Sequence, residues 1–343
     1  MTHWKLFPAS AFSEHAEQWD KLNQQLYQSH PLLDSRFVSA LLKHFGNQQV
    51  LLAVYPANTE QNGNLLLLQP KRLGIWEAFL PNQAQISPLL CTYAQALPDL
   101  FAFLPSLPLA IDILCQDPLY TFPTQALQHI ENLTHVTTMN IDVVETFDDY
   151  WQQRSRKLQQ NLRRYFKRLS KNGINYQLKV FSKPEELQQA LRRYGELETK
   201  SWKGKVGTSI HSENKQGRFY SDALNPFALT GQAEIVELYL DDQLAASRIN
   251  VLDKHMLIAL KTTYDETLSN YAPGRLLLYL LIEREFLLKR VQRIELYTDA
   301  TADQLSWSTG QRNIEHLTIY RSANLHRTFK ALRSIKAKLV NRQ

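Results

Sequence analysis

The sequence predicts an α/β fold built on a mixed β-sheet, and two observations indicate it. After residue 172 the apolar patterns give the order β-α-α-β-β-β-α-β-α-β, in which three consecutive strands are joined by short turns. A right-handed crossover through the most apolar helix would place the strand after it parallel to the strand before it. Hairpin-connected strands and one parallel pair together make the predicted sheet mixed.

The charge distribution divides the chain into two parts. Residues 1–145 carry 6 Lys/Arg and 12 Asp/Glu, whereas the remaining residues carry 33 and 21. Only three of the 14 prolines follow residue 145. We therefore predict a first domain over 1–145, a basic connecting helix over 146–172, and a better formed domain over 173–343 that ends in a basic helix. An anionic ligand is expected on the basic part.

Composition indicates a globular protein of a reducing compartment. Hydrophobic residues make up 44% of the chain, and the two cysteines, Cys91 and Cys115, have neither a disulfide nor a metal-binding spacing. No signal-peptide pattern begins the sequence, and the most apolar stretch, Leu97–Cys115, is interrupted by prolines and aspartates. We expect a cytoplasmic protein with no transmembrane segment and no metal cofactor.

The first part contains amphipathic helices followed by short strands. Residues 14–30 and Arg36–Phe45 have helical spacing, and Asp34 is a candidate N-cap for the second helix. Its histidines are scattered, so surface or capping roles are favoured over metal binding. The predicted strands are Gln49–Tyr55, Asn64–Gln69 and Val136–Val144; the histidines are His15, His30, His44, His129 and His135.

A strongly basic segment connects the two parts. From Phe147, with Asp148 as the candidate cap, the pattern predicts one long helix, and no acidic residue occurs between Asp149 and Glu185. Such a face is either merely solvated or attracts an anionic partner: a phosphate-bearing cofactor, tRNA, an anionic polymer or a membrane surface. Charge alone does not choose among them.

The second part supplies the elements of the predicted sheet. Helices are expected from Pro184 towards Trp202, over Glu213–Leu229, around Asp303–Trp307 and over Ala323–Val340, and strands over Ile174–Phe181, Ala233–Leu240, Leu244–Leu252, His255–Tyr264, Arg293–Tyr297 and Glu315–Tyr320.

The most informative stretch is Tyr264–Arg290, where a strand leads through Ala272-Pro273-Gly274-Arg275 into an apolar helix. Proline suits the first turn of a helix, and glycine leaves the backbone amides uncovered. Together with Arg275, such a helix start can bind a phosphate or diphosphate. An ordinary buried helix with a Pro-Gly start is the alternative interpretation.

Several motifs resemble one family of acyltransferases. They are Trp202-Lys203-Gly204, Gly207-Thr208-Ser209-Ile210, Tyr264-Asp265-Glu266 and Ala272-Pro273-Gly274 followed by leucines. With the element order, they resemble the GNAT superfamily, in its FemAB-like branch called the CelD/BcsL family, over residues 147–322. The usual GNAT phosphate loop, Gln/Arg-x-x-Gly-x-Gly/Ala, is reduced here to Pro273-Gly274-Arg275.

The resemblance implies tandem GNAT-like domains, the first of them degenerate, and an acyl-CoA donor, acetyl-CoA above all. Its diphosphate would bind at Ala272, Pro273, Gly274, Arg275 and Leu276. FemAB relatives use aminoacyl-tRNA instead, which the basic helix would also suit.

Direct transfer from a thioester needs a base, an oxyanion donor and an acid for the thiolate. Asp265 is the candidate base, or equally a cap of the following loop, and Tyr297 is the candidate acid, or equally a core tyrosine. Lys261, the third candidate catalytic residue, lies within an apolar strand and is expected to face the site. The candidate substrate-binding residues are Trp202, Lys203, Arg248 and Asp299.

Three functions follow from these observations. The first is acyl-CoA-dependent N- or O-acyl transfer to a sugar, a polysaccharide precursor or a related metabolite. The second is aminoacyl-tRNA-dependent transfer to a cell-wall precursor. The third is a non-catalytic scaffold that binds an anionic polymer or membrane surface through the basic helix.

Overall fold

The computed structural model divides the chain into two compact units. Unit 1 comprises Met1–Val136 and Asn313–Gln343, and unit 2 comprises Thr137–Arg312. The domain boundaries that charge predicts stay a prediction, because units defined by contacts need not be domains that fold independently. The structure describes residues 3–56, 63–72, 74–120, 122, 124–125, 127–200, 210 and 214–340, with side chains described up to 333.

Unit 1 contains a mixed sheet with the strand order β1-β2-β3-β4-β6-β13, in which β5 pairs with β3. The pair β4·β6 is parallel and the other pairs are antiparallel. Its helices are α1 (Ala16–Tyr27), α2 (Ser35–Phe45) and the C-terminal α9 (Ala323–Val340); its strands are β1 (Lys5–Pro8), β2 (Leu51–Tyr55), β3 (Asn64–Arg72), β4 (Ile75–Ala78), β5 (Leu89–Cys91), β6 (Ala110–Gln116), the first part of β7 (Ile130–Asp142) and most of β13 (Gly310–Tyr320).

The two helices predicted near the N-terminus are confirmed, with shorter bounds for the first. The side chain of Asp34 caps α2 by accepting a hydrogen bond from the backbone N–H of Arg36, as predicted. His30 likewise has a capping role, because its Nδ1 accepts from the N–H of Leu32. Trp19 is fully buried and donates to the carbonyl of Leu33, which holds α1 against the chain entering α2.

Unit 2 contains a second mixed sheet, with the order β7-β12-β11-β10-β9-β8. Its parallel pair is β11·β12, as the crossover rule predicts. Its helices are α3 (Phe147–Gln152), α4 (Arg156–Lys171), α5 (Pro184–Lys200), α6 (Lys215–Ala228), α7 (Pro273–Leu288) and α8 (Ala302–Leu305); its strands, besides the end of β7, are β8 (Tyr176–Phe181), β9 (Ala233–Leu240), β10 (Gln243–Leu252), β11 (Met256–Tyr264) and β12 (Arg293–Leu296).

Helix α7 is the buried crossover that the sequence predicts. Leu276, Leu277, Leu281 and Ile282 are fully buried and pack in one core cluster with the sheet and with α4. The burial does not extend to the end of the helix, because Leu287 is 76% exposed and Leu288 is 53% exposed. The helix is therefore mostly buried, as its apolar sequence predicts, and its last turn is exposed.

The basic segment is two helices, so the single long helix expected from its pattern is wrong. Helix α3 ends at Gln152, and the side chain of Ser155 then caps α4 by accepting from the N–H of Leu158. The cap of α3 is Thr146, in a reciprocal capping box with Asp149, and not Asp148. A serine at an N-cap offers the backbone a local hydrogen bond that favours a new helix start over continuation.

Strand β11 contains a bulge where it crosses the sheet of unit 2. Ile249 lies opposite Lys261 and Asn250 lies opposite Ala259, so Leu260 is an extra residue in β11. The ladder between β11 and β12 pairs Met256, Leu257 and Ile258 with residues 293–295. Beyond the bulge, β11 continues to Tyr264 with β10 as its neighbour. A bulge followed by the loss of one neighbour leaves room beside the end of a strand.

Within the part of the chain that the structure describes, no helix combines the length and the apolar character needed to cross a membrane.

Candidate active site

The start of α7 has the backbone geometry of an anion site. Ala272 has a left-handed conformation, with φ 53°, and no described side chain caps the helix. Pro273 occupies the first helical position, and a Cβ on Gly274 would lie 3.4 Å from the Tyr264 ring, an ordinary contact distance. Pro273 has no N–H, and the N–H groups of Arg275 and Leu276 donate to the carbonyl of Ala272 at 3.0 and 3.1 Å. The N–H of Gly274 has no partner among the described residues, so the positive end of the helix dipole has one backbone donor beside it.

Arg275 is held beside this helix start by two partners. Its guanidinium contacts the carboxylate of Asp303 at 2.8 Å and the hydroxyl of Tyr165 at 2.7 Å. Burial alone would lower the pKa of Arg275, but the charge of Asp303, the hydroxyl of Tyr165 and the hydrogen bonds to both together raise the pKa. An anion at the helix start would consequently meet the N–H of Gly274 and the helix dipole first, and would meet Arg275 fully only in competition with Asp303.

The segment between β11 and α7 is fixed from both sides. Asp265 ends β11 and caps the 3-10 helix Glu266–Tyr271, because its carboxylate accepts from the N–H and the hydroxyl of Thr267. Burial opposes the charge, but these hydrogen bonds lower the pKa of Asp265. A carboxylate with a lowered pKa is a weak base, and the capping role is the one that these contacts describe.

Helix α4 contacts the same segment. The guanidinium of Arg168 donates to the carbonyl of Asn270, and Asn172 donates to the hydroxyl of Tyr271 at 2.9 Å. The basic helix therefore helps to position the start of α7. Its remaining cations are exposed to solvent: Arg156, Lys157, Arg163, Arg164, Lys167 and Lys171.

Lys261 lies next to the bulge of β11 and pairs with Glu198 of α5. The ammonium nitrogen is 3.0 Å from the Oε1 atom of Glu198, whose side chain is completely buried, and Gln216 of α6 lies at 3.4 Å. Glu198 also accepts from the N–H of Ile210. Lys261 thus joins the strand to two helices.

Glu198 is a site residue that sequence reasoning missed. Its signal was a carboxylate within the apolar stripe of α5, four residues after Tyr194. Burial raises the pKa of Tyr194 well above its usual value, and the charge of Glu198 adds to this effect. A buried carboxylate in a helix requires a cation from elsewhere in the fold, and Lys261 supplies it.

Arg248, one of the predicted substrate-binding residues, is deeply buried. It is 5% exposed, and its Nε atom donates to the hydroxyl of Thr262 at 2.8 Å. Burial lowers the pKa of Arg248 to about 10, which the interaction with Tyr194 partly opposes. The position of Thr262 beyond the bulge places this guanidinium on the stretch of β11 that has left β12.

The two candidates after β12 have different surroundings. Tyr297 is 8% exposed, and the guanidinium of Arg312 lies 5.3 Å from the centre of its ring. Asp299 is exposed. The structure thus keeps Tyr297 at the edge of the core, and Asp299 faces solvent. Trp202 and Lys203, with the predicted glycine loop, lie outside the described residues.

One grouping of metal-ligand types lies in unit 1, where the sequence offered only scattered residues. Ligand atoms of Cys115, His135 and His316 lie within 4.8 Å of one another, and the two imidazole rings stack at 4.2 Å. The Nδ1 atom of His316 accepts from the N–H of Cys115, so a neutral imidazole carries its proton on Nε2 and has no free lone pair for a metal. The three residues come from three strands, which explains why no local motif was visible.

Comparison with known proteins gives the class of this site. Residues 156–303 match the family described as acetyltransferase (GNAT) domain. This range contains α4, the bulged β11, the start of α7 and β12. The protein therefore carries a GNAT-type domain, and the predicted enzyme class, an acyltransferase, is confirmed. No curated protein matches the chain in sequence.

Solved structures show the fold of the larger part of the chain. FemX is 10% identical, with a TM-score of 0.59, over 88% of this chain and 95% of the other. The C-terminal domain of a putative lysylphosphatidylglycerol synthetase from Agrobacterium fabrum is 10% identical, with a TM-score of 0.55, over 93% and 95%. A conserved protein of unknown function from Bacteroides thetaiotaomicron is 10% identical, with a TM-score of 0.54, over 93% and 100%. The predicted tandem GNAT-like, FemAB-like fold is confirmed; at this identity the likeness concerns the fold alone.

Proposed function

We propose that the protein is an acyl-CoA-dependent N- or O-acyltransferase that binds its donor at the start of α7. The observation that carries the proposal is the helix start itself. Ala272 in the left-handed conformation, Pro273 and Gly274 leave a helix N-terminus without a side-chain cap, one 3-10 helix after the strand that parts from β12. The helix dipole and the N–H of Gly274 suit a diphosphate, and the edge of β11 that no longer pairs with β12 suits the linear pantetheine arm.

Transfer would be direct. The acceptor's amine or hydroxyl attacks the thioester carbonyl, the carbonyl oxygen becomes an oxyanion, and the thiolate leaves with a proton. In this proposal Tyr297 donates that proton, because it ends β12 at the edge of the core. The Lys261–Glu198 pair holds the bulged part of β11 in place beside the thioester. Asp265 fixes the approach to α7, and its role as a base stays a prediction.

The acceptor class follows from the resemblance to the CelD/BcsL family. A sugar, a polysaccharide precursor or a related metabolite is the acceptor that this resemblance implies. Asp299, exposed beyond β12, and the predicted loop residues Trp202 and Lys203 are the proposed contacts with it.

Calorimetric titration with acetyl-CoA, CoA and S-acetylpantetheine tests the donor proposal. We expect binding of the first two, and an affinity about 100-fold lower for S-acetylpantetheine, which lacks the diphosphate. A charge-assisted hydrogen bond from the Gly274 N–H of about 2 kcal/mol and a helix-dipole interaction of about 0.5–1 kcal/mol account for this factor. Absence of binding at millimolar acetyl-CoA and CoA, or equal affinity for S-acetylpantetheine, would contradict the proposal.

A second candidate, aminoacyl-tRNA-dependent transfer, is favoured by the exposed cations of α4. Binding of tRNA through them should weaken steeply with salt. The triple replacement of Arg163, Arg164 and Lys167 by glutamine should abolish it; Arg168 is left intact because it donates to Asn270. The matched control, with the same change of charge, replaces the exposed residues Lys183, Lys254 and Lys289.

The comparison of these two variants decides the second candidate. Loss of tRNA binding in the α4 variant, with the control binding as the unmodified protein does, would support it. Equal binding by both variants, or binding independent of salt, would exclude α4 as a tRNA surface. Binding of anionic vesicles or polymers without turnover of any donor would point instead to the scaffold function.

A further inference from the structure

Arg248 differs in its partners from the arginines of unit 2 that pair with buried glutamates. Arg193 pairs with the buried Glu237, Arg312 pairs with the buried Glu295, and Arg290 pairs with two buried glutamates of the same unit. Arg248 has a hydroxyl, that of Thr262, as its hydrogen-bond partner. No described carboxylate pairs with it, although its side chain is 5% exposed.

The unpartnered edge of the Arg248 guanidinium is well defined. Nε is used by Thr262, whereas Nη1 is buried and has no hydrogen-bond partner among the described residues. A buried cation without a counter-charge destabilises a fold, because its lost hydration is not replaced. A buried cation without a counter-charge is typical of a binding site in which the ligand supplies the opposite charge.

We propose that Arg248 binds a carboxylate group of a substrate. A guanidinium presents parallel N–H donors that match the two oxygens of a carboxylate. A monoanionic carboxylate would neutralise the single buried cation, whereas a phosphate dianion would leave a net charge in the same surroundings. The position of Thr262 beyond the bulge puts this group beside the stretch of β11 where the thioester is proposed to lie.

The carboxylate can belong to either reactant of the proposed transfer. An amino-acid-like acceptor would present it near its nucleophile, and a dicarboxylic acyl-CoA would present it on the acyl group. This assignment to a substrate rests on the proposed acyltransferase function. Binding of a carboxylate at Arg248 does not depend on it.

The first experiment measures the melting temperature of the full chain in formate, acetate, phosphate and chloride at equal ionic strength. We expect formate and acetate to raise the melting temperature of the unmodified protein relative to chloride. Phosphate should stabilise the unmodified protein and Arg248→Met equally, because it acts as a stabilising salt and at the proposed anion site of α7. Arg248→Met should lose the carboxylate effect and should melt about 2 °C higher in chloride, because a buried unpaired charge is removed. Arg192→Met, on the exposed face of α5, is the matched control and should respond like the unmodified protein.

Arg248→Lys covers the case in which the methionine variant does not fold, since it keeps the charge and loses the planar pair of donors. It should show a weaker carboxylate effect. The proposal is overturned if formate and acetate act alike on Arg248→Lys and the unmodified protein, if Arg248→Met loses the stabilisation by phosphate as fully as the stabilisation by acetate, or if Arg248→Met folds and melts below the unmodified protein in chloride.

The second experiment identifies the reactant that carries the carboxylate. Turnover is compared between β-alanine and propylamine as acceptors, and between succinyl-CoA and acetyl-CoA as donors. If the acceptor carries the carboxylate, the preference for β-alanine over propylamine should fall about 100-fold in Arg248→Met, and the preference between the two donors should not change. If the acyl group carries it, the preference for succinyl-CoA over acetyl-CoA should fall about 100-fold, and the preference between the two acceptors should not change. An equal preference in the unmodified protein and the variant, for both pairs, would refute substrate binding. Absence of turnover with any of these donors would count against the proposed function and leave the melting result to decide the carboxylate site.

Discussion

Replacing Gly274 with aspartate should stabilise α7 and weaken anion binding at its start. The new Cβ would lie 3.4 Å from the Tyr264 ring, an ordinary contact, so the backbone has room for the side chain. A carboxylate in the first turn of an uncapped helix interacts favourably with the helix dipole, by about 0.5–1 kcal/mol. We therefore expect Gly274→Asp to raise the melting temperature by about 1–3 °C.

The same carboxylate would occupy the position proposed for the diphosphate. Losing the charge-assisted hydrogen bond from the N–H at position 274, of about 1.5–3 kcal/mol, and the helix-dipole interaction, of about 0.5–1 kcal/mol, should reduce acetyl-CoA affinity about 100-fold. Calorimetric titration and thermal melting on the same preparation measure both effects. Gly274→Ala is the matched control, because it adds the Cβ without the charge, and it should bind acetyl-CoA within about threefold of the unmodified protein. An aspartate variant that binds as tightly as the alanine variant would refute the placement of the diphosphate.

Three further predictions concern buried groups. Leu281→Ala should lower the free energy of unfolding by about 3 kcal/mol, because Leu281 is fully buried in the α7 core; a loss below about 1 kcal/mol in urea denaturation would contradict this packing. Glu198→Gln should lower the free energy of unfolding by about 3 kcal/mol, because it leaves Lys261 without its anion. Adding Lys261→Met should recover part of this free energy if the ion pair is the cause. Burial, followed by the charge of His135, lowers the pKa of His316 below its usual 6.5, so the folded state favours the neutral ring. The contribution of His316 to the free energy of unfolding is fully present above pH 6.5 and is lost as the pH falls below it. His316→Gln should therefore flatten the pH dependence of the free energy of unfolding, measured by urea denaturation between about pH 7.5 and pH 5.

Arg275 shows why a motif is an incomplete description of a site. Its place in the sequence, directly after the Pro-Gly start, suggested a direct ligand of phosphate. In the folded chain Asp303 and Tyr165 hold its guanidinium, and both come from elements distant in sequence. The backbone of the helix start is thus the more direct feature of the proposed donor site, and Arg275 is a second contact that depends on Asp303.

The sequence by itself determined the elements whose signals are local. The apolar run after Pro273 indicated α7, and the alternating segments and short turns indicated β9, β10 and β11. Asp34 indicated the start of α2 as its N-cap. The helix start at Gly274 could be predicted for the same reason, since proline and glycine fix backbone conformation within a few residues. Where two local signals competed, as at Ser155, the pattern of basic and apolar residues hid a helix boundary.

Only the tertiary structure decided which distant side chains meet. Glu198 and Lys261 are 63 residues apart, and whether a buried lysine is paired depends on the helix that crosses its strand. The bulge at Leu260 and the parting of β11 from β12 depend on register across three strands, which no single segment encodes. In the sequence Arg248 was one of several candidate substrate-binding residues. The structure shows that it lacks the carboxylate partner that neighbouring arginines have. The sequence could not show this, because the energy of a buried charge depends on its surroundings and not on its position in the chain.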